Sequence, residues 1–196
     1  MRRILLVAVA AVVLAAFAAP ARAGDISVFG SWADTDSLGD SFGFGAKIDF
    51  SMFSALGMEF RGTYFPDLGE SFEDIVDNDD DILEIDVEAI PIDGGLILQF
   101  GPGKNFFVSG GATYYLMDTD VGDVDDQWGW YLATGFKSGQ PGGGIGFFGE
   151  VIYRDVDGSV NVDPEDFEDI DDIGFNGEVP VDLSGIGANV GVVFRF

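Results

Sequence analysis

The last seven residues read Val190-Gly-Val-Val-Phe-Arg-Phe196, so Val190, Val192, Phe194 and Phe196 put an apolar side chain at every second position. A period of two belongs to a β-strand whose two faces meet different surroundings. The same pattern recurs upstream. Phe42, Phe44, Ala46, Ile48 and Phe50 share one parity, while Gly43, Gly45, Lys47 and Asp49 share the other. Met58, Phe60, Gly62 and Tyr64 oppose Glu59, Arg61 and Thr63, and Phe147, Val151 and Tyr153 oppose Gly146, Glu150 and Arg154. Turn-forming residues divide the chain into eight such segments: Asp25–Ala33, Phe42–Phe50, Gly57–Phe65, Leu83–Phe100, Phe106–Met117, Trp128–Lys137, Ile145–Asp155 and Leu183–Phe196. Nothing amphipathic at helical period follows Gly24.

The fourth segment contradicts itself. Glu84, Asp86 and Glu88 suggest that one parity is polar, whereas Leu96, Leu98 and Phe100 make that same parity apolar. Pro91 and Gly94-Gly95 lie between, and a bulge or kink there would shift the register.

A continuous apolar face against a face carrying Lys, Arg, Asp and Glu is the pattern of a wall with lipid outside and a polar interior. An even strand number suits closure into a bacterial barrel. A soluble β-sandwich also alternates, but it buries its aromatic face between two sheets and has no use for the terminal phenylalanine. The connections separate the two readings further. Those at 34–41, 66–82, 118–127 and 156–182 carry most of the chain's 35 acidic residues, whereas 51–56, 101–105 and 138–144 carry none. Long loops on one side and short turns on the other match an outer-membrane barrel with its short side periplasmic. The fold expected is all-β: an eight-stranded antiparallel up-and-down transmembrane β-barrel.

The N-terminus supplies an address. Arg2 and Arg3 precede an apolar run from Ile4 to Phe17, and Ala21 and Ala23 stand at −3 and −1 of a cleavage site. The run is short for a ~20-residue membrane helix and no stop-transfer flank follows. The chain divides into a signal peptide, 1–23, and a barrel, 24–196, bound for the bacterial outer membrane.

Net charge is −26, and cleavage removes three of the nine basic residues, Arg2, Arg3 and Arg22. So acidic a surface excludes nucleic acid as a partner. The absence of cysteine removes disulfides, thiolate metal sites and a lipoprotein anchor.

Gly103-Lys-Asn-Phe-Phe-Val-Ser-Gly-Gly-Ala-Thr-Tyr-Tyr115, the glycine–aromatic alternation elsewhere and the terminal Phe196 resemble the OmpA/OmpX-like small outer-membrane β-barrel domain family, a porin-like group. The resemblance covers Gly24 to Phe196 and implies a barrel without implying a chemistry. It also implies that Val190, Val192, Phe194 and Phe196 form the signal read by the barrel-assembly machinery. The acidity of the loops departs from the family's pattern, so no loop-borne activity carries over.

Catalysis is not expected. The chain has no histidine, and the barrel enzymes of lipid A modification and the omptin proteases resemble one another in using one. Without His or Cys the commonest general base and the best neutral-pH nucleophile are missing. Carboxylate pairs abound, but acidic residues this numerous generate them by chance.

Two groups of residues remain as candidate sites. In the loops, Asp77, Asp79, Asp81, Asp118, Asp120, Asp123, Asp155, Asp157 and Asp163 offer hard oxygen ligands for weakly bound Ca²⁺ or Mg²⁺. Residues 155–163 resemble an EF-hand loop only loosely, because Gly158 is fourth where the motif needs glycine sixth. The alternative is a self-repelling acidic coat, or adaptation to salt. On the inward parity, Lys47, Asp49, Glu59, Arg61, Glu88, Lys137, Glu150, Arg154 and Arg195 are expected to form an ion-pair network filling the lumen. No other cofactor is implied. The expected role is a monomeric surface or structural protein among lipopolysaccharide and membrane lipid. The alternative is a narrow channel for small or apolar solutes, as in the OmpW-like barrels. Eight strands enclose a lumen that side chains just fill, which weighs against an open pore.

Overall fold

The computed structural model describes residues 24–36, 39–66, 87–119, 127–140, 143–161 and 178–196. Eight strands close a barrel: β1 (Gly24–Thr35), β2 (Gly39–Ser51), β3 (Leu56–Tyr64), β4 (Val87–Phe100), β5 (Phe106–Thr119), β6 (Gln127–Lys137), β7 (Gly144–Asp155) and β10 (Gly185–Arg195). Two more, β8 (Asp157–Asn161) and β9 (Glu178–Asp182), pair with each other. Every barrel strand pairs antiparallel with its chain neighbours, and β10 closes on β1 from Asp25↔Arg195 to Thr35↔Gly185. Gly24 and Phe196 exchange backbone hydrogen bonds of 3.0 and 3.1 Å at the end of that seam. No strand edge is left open in the wall, which is what a sheet immersed in hydrocarbon requires.

The faces divide by parity as the sequence pattern predicts. Phe42, Phe44, Trp128, Ile145, Phe147 and Val190 point outward and are strongly exposed, while Lys47, Glu59, Asp93, Thr113 and Asn189 point inward and are fully buried. An exposed apolar surface of this extent cannot face water. Tyr114 stacks near Trp128 with ring centroids 4.6 Å apart, Trp130 meets Tyr153 at 5.6 Å, and Phe44 meets Tyr64 at 5.4 Å. These pairs form an aromatic girdle toward the loop end, with Phe100 and Phe106 at the turn end.

The lumen is narrow enough that inward glycines are needed to seat its rings, Gly43 beneath Phe65 among them. A methyl group on Gly45 would approach the Phe29 ring to 2.6 Å, and one on Gly135 the Phe107 ring to 2.6 Å.

β4 corrects one expectation. It pairs with β5 without interruption from Val87↔Thr119 to Phe100↔Phe106, so neither Pro91 nor Gly94-Gly95 makes a bulge. The ladder to β3 runs from Leu56↔Leu98 to Gly62↔Ile92 and resumes in the same register at Phe65↔Ala89. It lapses across from Pro91, whose nitrogen has no proton to donate.

The 156–182 connection, expected to be loop throughout, holds the β8–β9 hairpin. Its pairing, Asp157↔Asp182, continues the register of Gly185↔Arg154 below it. At the junction Leu183 donates its N–H to Val156 at 3.0 Å, and Val156 donates to the Ser184 hydroxyl at 3.1 Å. Asp182 accepts the Ser184 N–H at 2.9 Å, and the Ser184 hydroxyl and backbone together hold its carboxyl below the ordinary carboxylate range. Val156 and Leu183 thereby turn inward and join Ala33, Phe65, Ala89 and Tyr115 in an apolar layer across the loop-side mouth.

Candidate functional site

The lumen is built in layers. At the turn end, Lys137 donates to Asp25 at 3.0 Å and also pairs with Asp49, and Arg195 reaches Asp25 at 3.4 Å. Above them lies an apolar plate of Phe29, Ile97, Phe107, Phe148 and Val193. Phe107 and Phe148 are stacked with centroids 6.2 Å apart. Lys47 threads past this plate, its Nζ 4.1 Å from the Phe107 centroid, where the π face offsets part of the cost of burial.

The upper cluster follows. Lys47 Nζ lies 2.7 Å from Glu59 and 3.0 Å from Glu150, and 3.9 Å from Asp49 in the layer below. Arg61 spreads its guanidinium over three carboxylates: Asp93 at 3.0 Å, Glu59 at 3.1 Å and Glu150 at 3.1 Å. Arg154 grips Asp93 with two bonds, Nε at 3.2 Å and a terminal nitrogen at 2.7 Å. Tyr131 donates to Glu59 at 2.9 Å and Asn189 to Glu150 at 2.7 Å. The lower cluster balances Lys137 and Arg195 against Asp25 and Asp49. The upper one balances Lys47, Arg61 and Arg154 against Glu59, Asp93 and Glu150. Each layer is neutral, as groups held out of water need to be.

Of the residues proposed for this network, Lys47, Asp49, Glu59, Arg61, Lys137, Glu150, Arg154 and Arg195 are brought together. Glu88 is not. It is exposed, on the parity of Ile92, Leu96 and Phe100, and pairs across the wall with Asp118 near the rim. Uninterrupted pairing through β4 leaves no register shift to turn it inward. Two members are additional, Asp25 and Asp93. Asp93 has the parity opposite to Leu96 and Leu98, so the apolar half of that segment carried the signal for it.

Val190, Val192 and Phe194 lie on the outward face of β10, and Phe196, one residue beyond it, is exposed on the same parity. Ala21 and Ala23 lie outside the described residues, as do Asp77, Asp79, Asp81, Asp120, Asp123 and Asp163. Asp118 is the last residue but one of β5, Asp157 begins β8, and Asp155 is half-buried at the end of β7. Among the described residues no three carboxylates converge to chelate a metal. What the described rim does present, just beyond the aromatic girdle and on the outward parity, is Asp34, Asp40 and Glu88, all exposed, with Asp155. Every basic residue after Arg22 is in the lumen except Lys104, which sits in the β4–β5 turn at the opposite end. A cavity of about 10 Å³ remains beneath the mouth, between Thr35, Tyr115, Arg154 and Leu183, with space for one water.

Neither a protein-family profile nor a curated protein sequence matches the chain. Its architecture does have solved counterparts. The crystal structure of the outer membrane protein OprG from Pseudomonas aeruginosa is similar at TM-score 0.63 and 17% identity, over 89% of this chain and 95% of that one. That of the Neisserial surface protein A, NspA, is similar at TM-score 0.55 and 16% identity, over 89% and 99%. The chain has the fold of the small eight-stranded outer-membrane β-barrels.

Proposed function

We propose that the protein is a non-conducting, non-enzymatic barrel of the bacterial outer membrane whose working surface is its acidic rim. Through divalent cations that rim bridges to neighbouring lipopolysaccharide or partner surfaces. The observation that carries the reading is the segregation of charge. All the inward cations are matched by inward carboxylates across the lumen, and no basic residue stands on the loop side. A filled, neutral lumen offers an ion no aqueous path. A rim without lysine or arginine has no cationic side chain to pair with phosphate, so Ca²⁺ or Mg²⁺ is what brings it to an anionic lipid surface. The cation is shared between protein and lipid and affinity is weak, in the millimolar range of extracellular calcium modules. Export by residues 1–23, insertion by the barrel-assembly machinery and a monomeric state complete the proposal.

The test uses purified barrel in two preparations. In planar bilayers it gives no stable open state. In vesicles containing lipopolysaccharide, several millimolar Ca²⁺ increases its association with lipopolysaccharide and protects the loops from hydrogen exchange, and a chelator reverses both. Stable conductance sinks the first half of the reading, and loops indifferent to Ca²⁺ sink the second.

One observation favours the alternative of an apolar solute path. The apolar mouth layer, with Phe65 and Ala89, adjoins the stretch where the β3–β4 ladder lapses at Pro91. Uptake of a small aromatic solute into barrel-containing liposomes, without ion current, would favour it.

A further inference from the structure

Arg195 does more than neutralise Asp25. It is 3% exposed, and its guanidinium is shared among three separate parts of the chain. One terminal nitrogen donates to the Asn105 side-chain oxygen at 2.9 Å and to the Gly139 carbonyl at 3.0 Å, and the other to the Gly103 carbonyl at 3.0 Å. Nε reaches Asp25 on β1 at 3.4 Å. The closing strand, the first strand, the β4–β5 turn and the β6–β7 turn therefore meet at one side chain. Asn105 extends the joint, because its backbone carbonyl accepts the Lys137 N–H at 2.7 Å.

Both turns need such support. Gly101, Gly103 and Lys104 have φ of 80°, 65° and 54°, and Gly139 has 92°. Left-handed backbone at Lys104 is unfavourable, because its Cβ crowds the following carbonyl. Short turns of this kind are drawn from the part of a structure that opens most easily and independently. Here the carbonyls of Gly103 and Gly139 are captured by a planar fork whose donors are fixed relative to one another, a geometry lysine cannot reproduce.

We propose that Arg195 is a latch that fastens the β4–β5 turn, the β6–β7 turn and the β1–β10 seam into one unit, so that the turn end of the barrel opens all together or not at all. This device is independent of what the rim binds.

The experiment is hydrogen exchange on the full mature barrel in lipid, read at four amides. Lys104 N–H reports the first turn, Lys137 and Ser138 the second, and Phe196 the seam, each being bonded in the closed form. Arg195→Lys keeps the charge beside Asp25 and loses the fork, so folding is retained. Exchange at all four amides is expected to rise tenfold or more and by a common factor. Asp36 and Leu183 at the opposite end are bonded to Ser184 and Val156, and they serve as the internal reference and do not change. Asn105→Ala cuts the latch from the turn side and is expected to give the same four-site pattern, with the double variant no worse than either single one. If Asn105→Ala loosens Lys104 alone, or Arg195→Lys leaves the two turns exchanging at unrelated rates, the latch is overturned and Arg195 is a local turn ligand.

Discussion

Replacing Glu150 with glutamine removes one charge and almost no volume from the middle of the barrel. The carboxylate lies 3.0 Å from Lys47 and 3.1 Å from Arg61 and accepts a 2.7 Å bond from Asn189. At an effective dielectric of about 20, unit charges ~3 Å apart attract by roughly 5 kcal/mol, so each contact is large before the cost of burial is set against it. In the variant Lys47 keeps Glu59, and Arg61 keeps Glu59 and Asp93. The upper cluster is nevertheless left with three cations and two carboxylates, out of water. Breaking a buried pair from one side costs about 3–5 kcal/mol, and the amide's remaining acceptor places Glu150→Gln near the lower end. Lys47→Met restores neutrality. The double variant should therefore be less destabilised than the sum of the single ones by at least ~2 kcal/mol. The assay is reversible urea unfolding in lipid vesicles, followed by the fluorescence of Trp32, Trp128 and Trp130 and by heat-modifiable gel mobility. A cost below ~1 kcal/mol for Glu150→Gln, or simple additivity in the double variant, would refute the claim that lumen neutrality is what the pairs preserve.

Other predictions follow from single features. Gly45→Ala pushes a methyl into the Phe29 ring and the Gly62 carbonyl and should cost about 1–3 kcal/mol in the same unfolding assay. Gly30→Ala, outward with nothing within 4 Å, should change stability by less than ~0.5 kcal/mol. Leu183→Ala empties part of the mouth layer and should cost about 2–5 kcal/mol, with faster exchange at Asp36 and Leu183. Phe196→Glu should leave the chain in the periplasm; wild-type recovery in the outer membrane with heat-modifiable mobility would defeat the assembly-signal reading. The Asp182 carboxyl is depressed by Ser184, so their contact contributes in full above the ordinary carboxylate pKa and is lost as pH falls through the depressed value. Exchange at the Ser184 amide, measured against pH, should quicken over that acidic range.

How much of this was legible depended on where each residue sits relative to lipid. Within the belt, parity is enforced from both sides, because an outward charge would face hydrocarbon and an inward Phe must find a glycine beneath it. Lys47, Glu59, Arg61, Glu150 and Arg154 were therefore readable from their neighbours. At the rim that constraint lapses. Glu88 is outward and acidic without penalty because water or headgroups lie beside it, so its charge mimicked an inward phase and masked Asp93, three positions before Leu96, where the true phase became plain. The β8–β9 hairpin was missed for the same reason. Val160 stands between Ser159 and Asn161, and Val179 and Val181 share one parity, but beyond the belt such alternation is too brief to stand out among acidic neighbours. The joint at Arg195 was invisible for a different cause. Its partners are two backbone carbonyls and an asparagine in separate turns, and no residue type announces a carbonyl that happens to point inward.

The distribution of cations links the lumen to the rim. Each buried carboxylate needs a cation beside it, and the inward strand positions take every basic residue beyond Arg22 except Lys104. Had one of these stood in a loop, it would have neutralised a nearby aspartate and weakened the field there. Because none does, the loop side keeps all of its negative potential while the lumen keeps none. Over exposed charges that field is screened within about 8 Å at physiological ionic strength, so it acts on ions and headgroups at the rim and not on distant ligands. A small surface bearing only carboxylates concentrates divalent cations in that layer even without a chelating geometry. The consequence can be tested by moving one charge. Asp34→Lys, on the exposed outward parity beside the lipid headgroups, should weaken the Ca²⁺-dependent association with lipopolysaccharide. It should also create a Ca²⁺-independent component, because a lysine can meet phosphate directly. Unchanged Ca²⁺ dependence in that variant would mean that the outward rim carboxylates are not where the cation is shared.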